Sequence, residues 1–229
     1  MLHGVTSPWP FAMWGMDIIG PFPPGKGQCR FLFVSVDYFT KWIETEPLAT
    51  ITARKVEAFV WKNLVCHFGI PHTVITDNGR QFTDRTLLAF YEGLGIRHVT
   101  SSVEHPQTNG QVEAANKVIL NELKKSLGIA KGRWTEEMLE VLWAYRCTPQ
   151  TSTRETPYNM VYETDAMIPV EVGEPTLRRQ LTDMNLNNES LAINLDVISE
   201  LRDQARIRDE ASKLRAGRRY NTKVKLRNF

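Results

Sequence analysis

An α/β architecture built on one mixed sheet is expected for this 229-residue chain, on three observations. Three short apolar runs, MWGMDIIGPF, FLFVSVDYF and WIETEPL, follow one another with connections short enough for hairpin-like antiparallel pairing. At Thr52 the hydrophobic period changes from two to that of a helix. Helical and strand patterns then alternate, which builds a mixed sheet with helices packed on its faces.

The elements follow in order. A lead-in rich in proline and aromatics (Pro8, Trp9, Pro10, Phe11) precedes the first strand, which carries Asp17 and stops at Pro21 and the Pro23-Pro24-Gly25 turn. FLFVSVDYF is the second strand and WIETEPL the third, which alternates in character. Val56, Phe59, Val60, Leu64 and Phe68 give Thr52–Phe68 a helical stripe that Gly69 closes. HTVIT is a fourth strand running into Asp77, followed by a helix from about Asp84 to Leu94 and a fifth strand, IRHVT.

Beyond it, Ser101–Gly110 reads as a loop containing proline and glycine. From Gln111 a helix carries Val112, Ala115, Ile119 and Leu123 on one stripe, with Glu113, Lys117, Leu120 and Lys124 on the next. Trp134–Arg146 is another helix. Pro149–Pro169 reads as irregular, with Thr156-Pro157 and Ile168-Pro169 as breakers. A long charged helix from about Ser190 to Arg219 has a narrow stripe of Leu191, Leu195, Ile198, Leu201 and Ala205. The expected boundaries are a lead-in over 1–8, a core over 9–165, an irregular linker over 166–189, and a long basic helix and tail over 190–229.

Composition sets the limits. A hydrophobic share of 42% and a charged share of 24% are those of a soluble globular protein with ample core. Net charge is only +2, but past Arg202 the basic residues Arg206, Arg208, Lys213, Arg215, Arg218, Arg219, Lys223, Lys225 and Arg227 outnumber Asp203, Asp209 and Glu210. That tail suits a polyanionic partner, and equally a solvated helix face. Cys29, Cys66 and Cys147 are odd in number and widely spaced, so neither a disulfide framework nor a zinc site is expected, and a reducing compartment fits. No apolar run reaches membrane-spanning length, so an intracellular protein with no membrane partner is expected.

Three carboxylates carry the chemistry: Asp17 in WGMDIIGP, Asp77 in ITDNGRQF and Glu113 in HPQTNGQVEAANK, the last two separated by 35 residues. Each has a plainer reading alone. Asp17 among Met16, Ile18 and Ile19 could bond a turn at a strand edge, Asp77-Asn78-Gly79 could be only a turn, and Glu113 could only favour a helix start. Together they read differently. Like charges crowded in a core are costly, whereas around a divalent cation the same hard oxygens are ligands. Asp37, in VDYFTKW, is read as structural.

These blocks, with FLFVSVDYFTKWIETEPL and AYRCTPQTSTRETPYNMVY, resemble the D,D-35-E catalytic core of retroviral and LTR-retroelement integrases, the gypsy-like branch most of all. The likeness runs from about Pro8 to Glu163. It implies an RNase H-like fold with a five-stranded mixed sheet and a helical extension. It also implies polynucleotidyl transfer, with Asp17, Asp77 and Glu113 binding two Mg²⁺ (or Mn²⁺) ions about 4 Å apart. One ion would activate the attacking oxygen and the other stabilise the leaving oxygen, first in 3′-end processing and then in strand transfer. By the same resemblance His105, Asn109 and Gln111 meet the DNA end, Lys117 and Lys124 contact phosphates, and Asn78 supports Asp77 or touches DNA.

The implied partners are double-stranded DNA, both element ends and target, and further copies of the chain, in the nucleus. Related integrases add a His₂Cys₂ zinc domain before the core and a β-rich DNA-binding domain after it. Neither is expected within these residues, so a core with its linker helix is the expected content. Two other readings remain: a non-catalytic nucleic-acid-binding relic of a retroelement, and an RNase H-like nuclease acting on hybrids. The loop HPQTNGQ weighs against the nuclease.

Overall fold

A computed structural model describes residues 7–100, 133–164, 166 and 184–223, with side chains in the last stretch described from Val197 to Arg219. The chain divides into two compact units, Met1–Tyr145 and Arg146–Phe229. Among the described residues no helix is long and apolar enough to cross a membrane.

The first unit is organised by five strands: β1 (Met13–Ile19), β2 (Phe31–Asp37), β3 (Ile43–Leu48), β4 (Thr73–Thr76) and β5 (Arg97–Thr100). Their spatial order is β3-β2-β1-β4-β5. The first three strands form an antiparallel meander, as their short connections require. β4 and β5 each arrive by a helical crossover and pair parallel, so β1 becomes the central strand. The mixed five-stranded sheet is the one expected from the sequence.

Helix α1 (Ala53–Phe59) starts at Thr52, whose side chain accepts from the Lys55 N–H. It continues through a π-helical stretch, Val60–Val65, and a closing turn, Cys66–Phe68, before Gly69 at φ 86° ends it. The π turn has a sequence cause. The apolar residues Val56, Val60, Leu64 and Phe68 recur every four positions, and such a step over-rotates a 3.6-residue helix by about 40°. A wider turn removes part of that drift and keeps Val60 and Leu64 buried with Val56 and Phe59. Helix α2 (Arg85–Gly93) is capped by Asp84, which accepts from the Thr86 N–H at 2.9 Å.

The sheet is covered on both faces. On one, Phe33 packs against Phe59 of α1 with ring centroids 4.2 Å apart and the planes tilted by 33°. On the other, Leu32, Val34, Val36 and Ile75 meet Trp134, Met138, Val141, Leu142 and Tyr145 of α3 (Trp134–Arg146). Trp134 is fully buried and its Nε1–H donates to the Pro23 carbonyl at 2.9 Å. Burial of this kind is worth roughly 1.5–3 kcal/mol per large side chain.

In the second unit the segment expected to be irregular contains a helix, α4 (Pro157–Tyr162). Proline acts here as a starter rather than a breaker: Thr156 caps the helix through the Asn159 N–H, and Pro157 occupies its first turn, where an amide hydrogen would go unused. Helix α5 (Met184–Lys223) exceeds the expected Ser190–Arg219 at both ends. Neither glycine nor proline lies between Met184 and Ser190 to stop it, so the end of the expected linker is helical, and the lone Gly217 is tolerated. Ile198 and Ala205 of the expected stripe are buried. Leu201 is half-buried, and the side chains of Leu191 and Leu195 lie outside those described.

Several tail cations are committed inside this unit. Arg202 pairs with Glu163 at 3.2 Å and donates to the Met160 carbonyl, Arg208 reaches Glu155 at 3.6 Å, and Lys213 holds Asp209 at 2.7 Å.

Candidate active site

The parallel pairing of β1 with β4 builds the site. Its register matches Met13 with Thr73, Trp14 with Val74 and Gly15 with Ile75, a constant offset of 60 residues. Carried two residues further, that offset sets Asp17 level with Asp77, on strands about 4.8 Å apart. Face follows from parity. Asp17 is the register partner of Val34, and Asp77 lies two residues past Ile75; Val34 and Ile75 belong to the core beneath α3. Both carboxylates therefore stand on the α3 side, at the carboxyl ends of neighbouring parallel strands, where ligands of α/β sheets collect.

Both are half-buried. Asp17 thus differs from its neighbours Trp14 and Met16, which are fully buried on the opposite face, in being only half-buried. Its Oδ1 accepts from the Ile18 N–H at 2.7 Å. At Asp77 the Asp-Asn-Gly turn works on the carboxylate itself, because the Gly79 N–H donates to Asp77 Oδ1 at 2.9 Å. Asn78 is exposed beside it, so the support that Oδ1 receives comes from Gly79.

A side chain at Gly79 would push on two neighbouring side chains. A Cβ there would lie 2.9 Å from Asp77 Oδ1 and run into the Gln81 side chain. Gly79→Ala should therefore turn the Asp77 carboxylate and cut any metal-dependent activity by about 10- to 100-fold, the scale of a lost outer-shell contact. Unchanged activity at unchanged fold would show that the turn does not position Asp77.

Glu113, His105, Asn109, Gln111, Lys117 and Lys124 lie outside the described residues. Among the described residues no group of three His, Cys, Asp or Glu side chains is placed to hold a metal. Two adjacent carboxylates of hard oxygen nevertheless match what Mg²⁺ or Mn²⁺ takes from protein, one or two carboxylates with the remainder from phosphate and water.

Asp37 has the opposite character. It is fully buried, with Oδ1 accepting from the Phe11 N–H at 3.1 Å and Oδ2 from the Thr40 N–H and hydroxyl at 2.8 and 2.7 Å. It ties the lead-in to the β2–β3 turn, and one residue of each, Phe11 and Lys41, holds a left-handed φ (63° and 64°). Burial pushes its pKa up to about 6 from 3.8, against the Thr40 and Phe11 hydrogen bonds and the Lys41 charge, which pull it down.

The folded value lies above the unfolded one. Its contribution to stability is therefore fully present below about pH 4 and lost as pH rises through about 6, a displacement worth about 3 kcal/mol. Denaturant midpoints of the wild-type chain should accordingly fall relative to those of Asp37→Asn between pH 4 and 7. Parallel profiles would show that another group titrates.

Sequence reasoning passed over one contact near the site. The Thr76 hydroxyl donates to the Asp77 carbonyl at 2.8 Å and meets His98 Nε2 at 2.9 Å. A threonine ending one strand and a histidine inside the next carry no signal of this until the β4–β5 register is known.

A meander extended by two parallel crossover strands, covered by helices on both faces, is an RNase H-like fold, and this one aligns two carboxylates at its centre. Residues 8–106 match the family model described as the integrase core domain. The chain is 26% identical to the Gag-Pol polyprotein of avian reticuloendotheliosis virus over 81% of its own length and 16% of the relative's. It is 30% identical to the Pro-Pol polyprotein of simian foamy virus type 3 over 70% and 14%. Against the gypsy retrotransposon integrase-like protein 1 of Macaca fascicularis it is 26% identical over 86% and 36%.

Two solved structures share the fold. One is a simian T-cell lymphotropic virus intasome in complex with PP2A regulatory subunit B56 gamma, with TM-score 0.61, 22% identity, and coverage of 73% of this chain and 59% of that one. The other is the catalytic core domain of BIV integrase, with TM-score 0.54, 21% identity, and coverage of 67% and 95%. Over residues 8–106 this chain is thus similar to the integrase core domain of retroviral and retrotransposon Pol polyproteins, and it spans about a third or less of the curated relatives it matches.

Proposed function

We propose that this chain is the catalytic core of a DNA integrase, performing 3′-end processing and strand transfer as a polynucleotidyl transferase. The observation that carries the reading is the parallel β1–β4 register, whose 60-residue offset, continued two residues past Gly15 and Ile75, brings Asp17 level with Asp77 on the face that α3 covers. With Glu113 they would hold two Mg²⁺ or Mn²⁺ ions. When bound, such ions polarise the phosphodiester, make the attacking hydroxyl more acidic and favour the leaving oxygen.

The chain's own part is position. Asp17 projects from the central strand of a closely packed sheet, and the Gly79 N–H fixes one oxygen of Asp77. Rigid placement of this sort lowers the entropic cost of an in-line displacement. His105, Asn109, Gln111, Lys117, Lys124 and Asn78 are proposed to hold DNA, the lysines as point charges on phosphates. Further copies of the chain are proposed as partners, because two DNA ends must be held at once, and the nucleus as the working compartment. One structural relative is itself an intasome, which supports the oligomeric reading.

The test is a gel assay on labelled, element-type duplex ends in Mg²⁺ and in Mn²⁺, beside Glu113→Gln. Nicked or joined products that vanish in the variant support the transferase. DNA binding with no product marks the relic instead, and preference for RNA–DNA hybrids marks the nuclease.

A further inference from the structure

The catalytic reading uses the side chain of Asp77, yet its backbone is also held, from the opposite face of the sheet. We propose that His98, acting through Thr76, is a positioning residue for Asp77: the ring Nε2–H donates to Thr76 Oγ1, and the Thr76 hydroxyl donates to the Asp77 carbonyl. The inference rests on the reading of Asp77 as a metal-holding carboxylate.

Hydrogen counting sets the direction of the chain. A hydroxyl has one hydrogen, and at Thr76 it goes to the Asp77 carbonyl 2.8 Å away. Thr76 Oγ1 can then only accept from His98 Nε2 at 2.9 Å, so the ring must carry its proton on Nε2. Thr76 is fully buried, which leaves little water to replace either bond.

The ring is itself held. His98 stands opposite Val74 in the parallel β4–β5 pair, within diagonal reach of Thr76. Tyr91 of α2 stacks on it with centroids 5.4 Å apart at 30°. Burial also pushes the His98 pKa down, which favours the neutral ring.

The consequence is a two-sided clamp. The carbonyl of residue 77 is held through Thr76 by β5, while its carboxylate is held by Gly79 in the following turn. β4 ends at Thr76, so Asp77 is the first residue past the ladder and has no further strand pairing to fix it. A small rotation there would swing the carboxylate away from Asp17.

The experiment compares wild type, His98→Phe, His98→Gln, Thr76→Val and Thr76→Ser in the full chain. Mn²⁺ affinity is read by electron paramagnetic resonance, nicking is read on duplex DNA, and unfolding midpoints serve as a control. Phenylalanine keeps the stack and removes the donor; glutamine places an amide N–H at similar reach. The expected result is Mn²⁺ affinity and kcat reduced by about five- to tenfold in the Phe and Val variants, the worth of one hydrogen bond. Both should return to within about twofold of wild type in the Gln and Ser variants, with the KM for DNA unchanged.

Nitrogen-15 spectra of the wild-type ring should show the Nε2–H tautomer, a readout that survives even where a variant fails to fold. An Nδ1–H ring, or Phe and Gln variants of equal Mn²⁺ affinity beside a wild type that binds and nicks, overturns the positioning role and leaves the transferase standing. A wild type that neither binds Mn²⁺ nor nicks overturns the transferase reading, and this inference falls with it.

Discussion

Asp17→Asn is expected to abolish metal-dependent DNA nicking, while Asp37→Asn keeps the chemistry on a less stable protein. The two aspartates lie on paired strands only a short distance apart, and both look like strand carboxylates in the sequence. Their surroundings separate them. Asp17 is half-buried on the α3 side of the sheet, and the β1–β4 offset, continued past Ile75, brings it level with Asp77. Converting it to an amide removes one of two adjacent negative charges, and charge is what a hard divalent cation takes from a ligand. The loss should exceed about a hundredfold, beyond what removing an outer-shell contact alone costs.

Asp37 is enclosed by hydrogen-bond donors on both oxygens and has no opening to a metal or to DNA. An amide there can keep the two Thr40 bonds only by turning its NH₂ against the Phe11 N–H. That should cost about 1–3 kcal/mol of stability at about pH 4, and less at neutral pH, where ionising the buried carboxylate weakens the wild-type chain itself. Nicking and urea unfolding on the same two variants read both halves. Loss of activity in Asp37→Asn at full occupancy of the folded state, with Asp17→Asn active, would reverse the assignment.

Much of the fold was legible because local and global signals agree. The three meander strands have short connections that permit only antiparallel neighbours, and Thr52, Asp84 and Gly69 punctuate helices where their capping chemistry predicts. The same rules failed where one residue has two uses. Pro157 stops helices in their interiors but starts one when Thr156 stands before it, and only the Asn159 N–H bond reveals which applies. Asp17 and Asp77 could be picked from their settings, but that they stand level is a property of register, which no single strand encodes. The Thr76–His98 contact was invisible for the same reason.

Register in turn depends on what presses the strands together, and Trp134→Ala should show how strongly. Trp134 opens α3, is fully buried, lies 4.9 Å from the Phe22 ring and donates to the Pro23 carbonyl. The fit is close: a Cβ on Gly25 would come within 2.8 Å of Trp134 Nε1. Removing the indole loses its transfer free energy, leaves a cavity against Phe22 and orphans the Pro23 carbonyl. Together these should cost about 3–5 kcal/mol, a large share of the roughly 5–15 kcal/mol that holds a typical domain folded.

Trp134→Phe separates the contributions in part, since it keeps most of the volume but loses the N–H and a portion of the indole. It should recover more than half of the loss. Pro23 lies in the connection from β1 to β2, so loosening this anchor frees the segment that follows the strand presenting Asp17. The alanine variant should therefore lose nicking activity at denaturant concentrations below its global midpoint, as the β1–β2 connection opens first. Coincident loss of activity and of far-UV circular dichroism would mean that the connection and the sheet unfold as one unit, and that Trp134 supports the site only by supporting the whole domain.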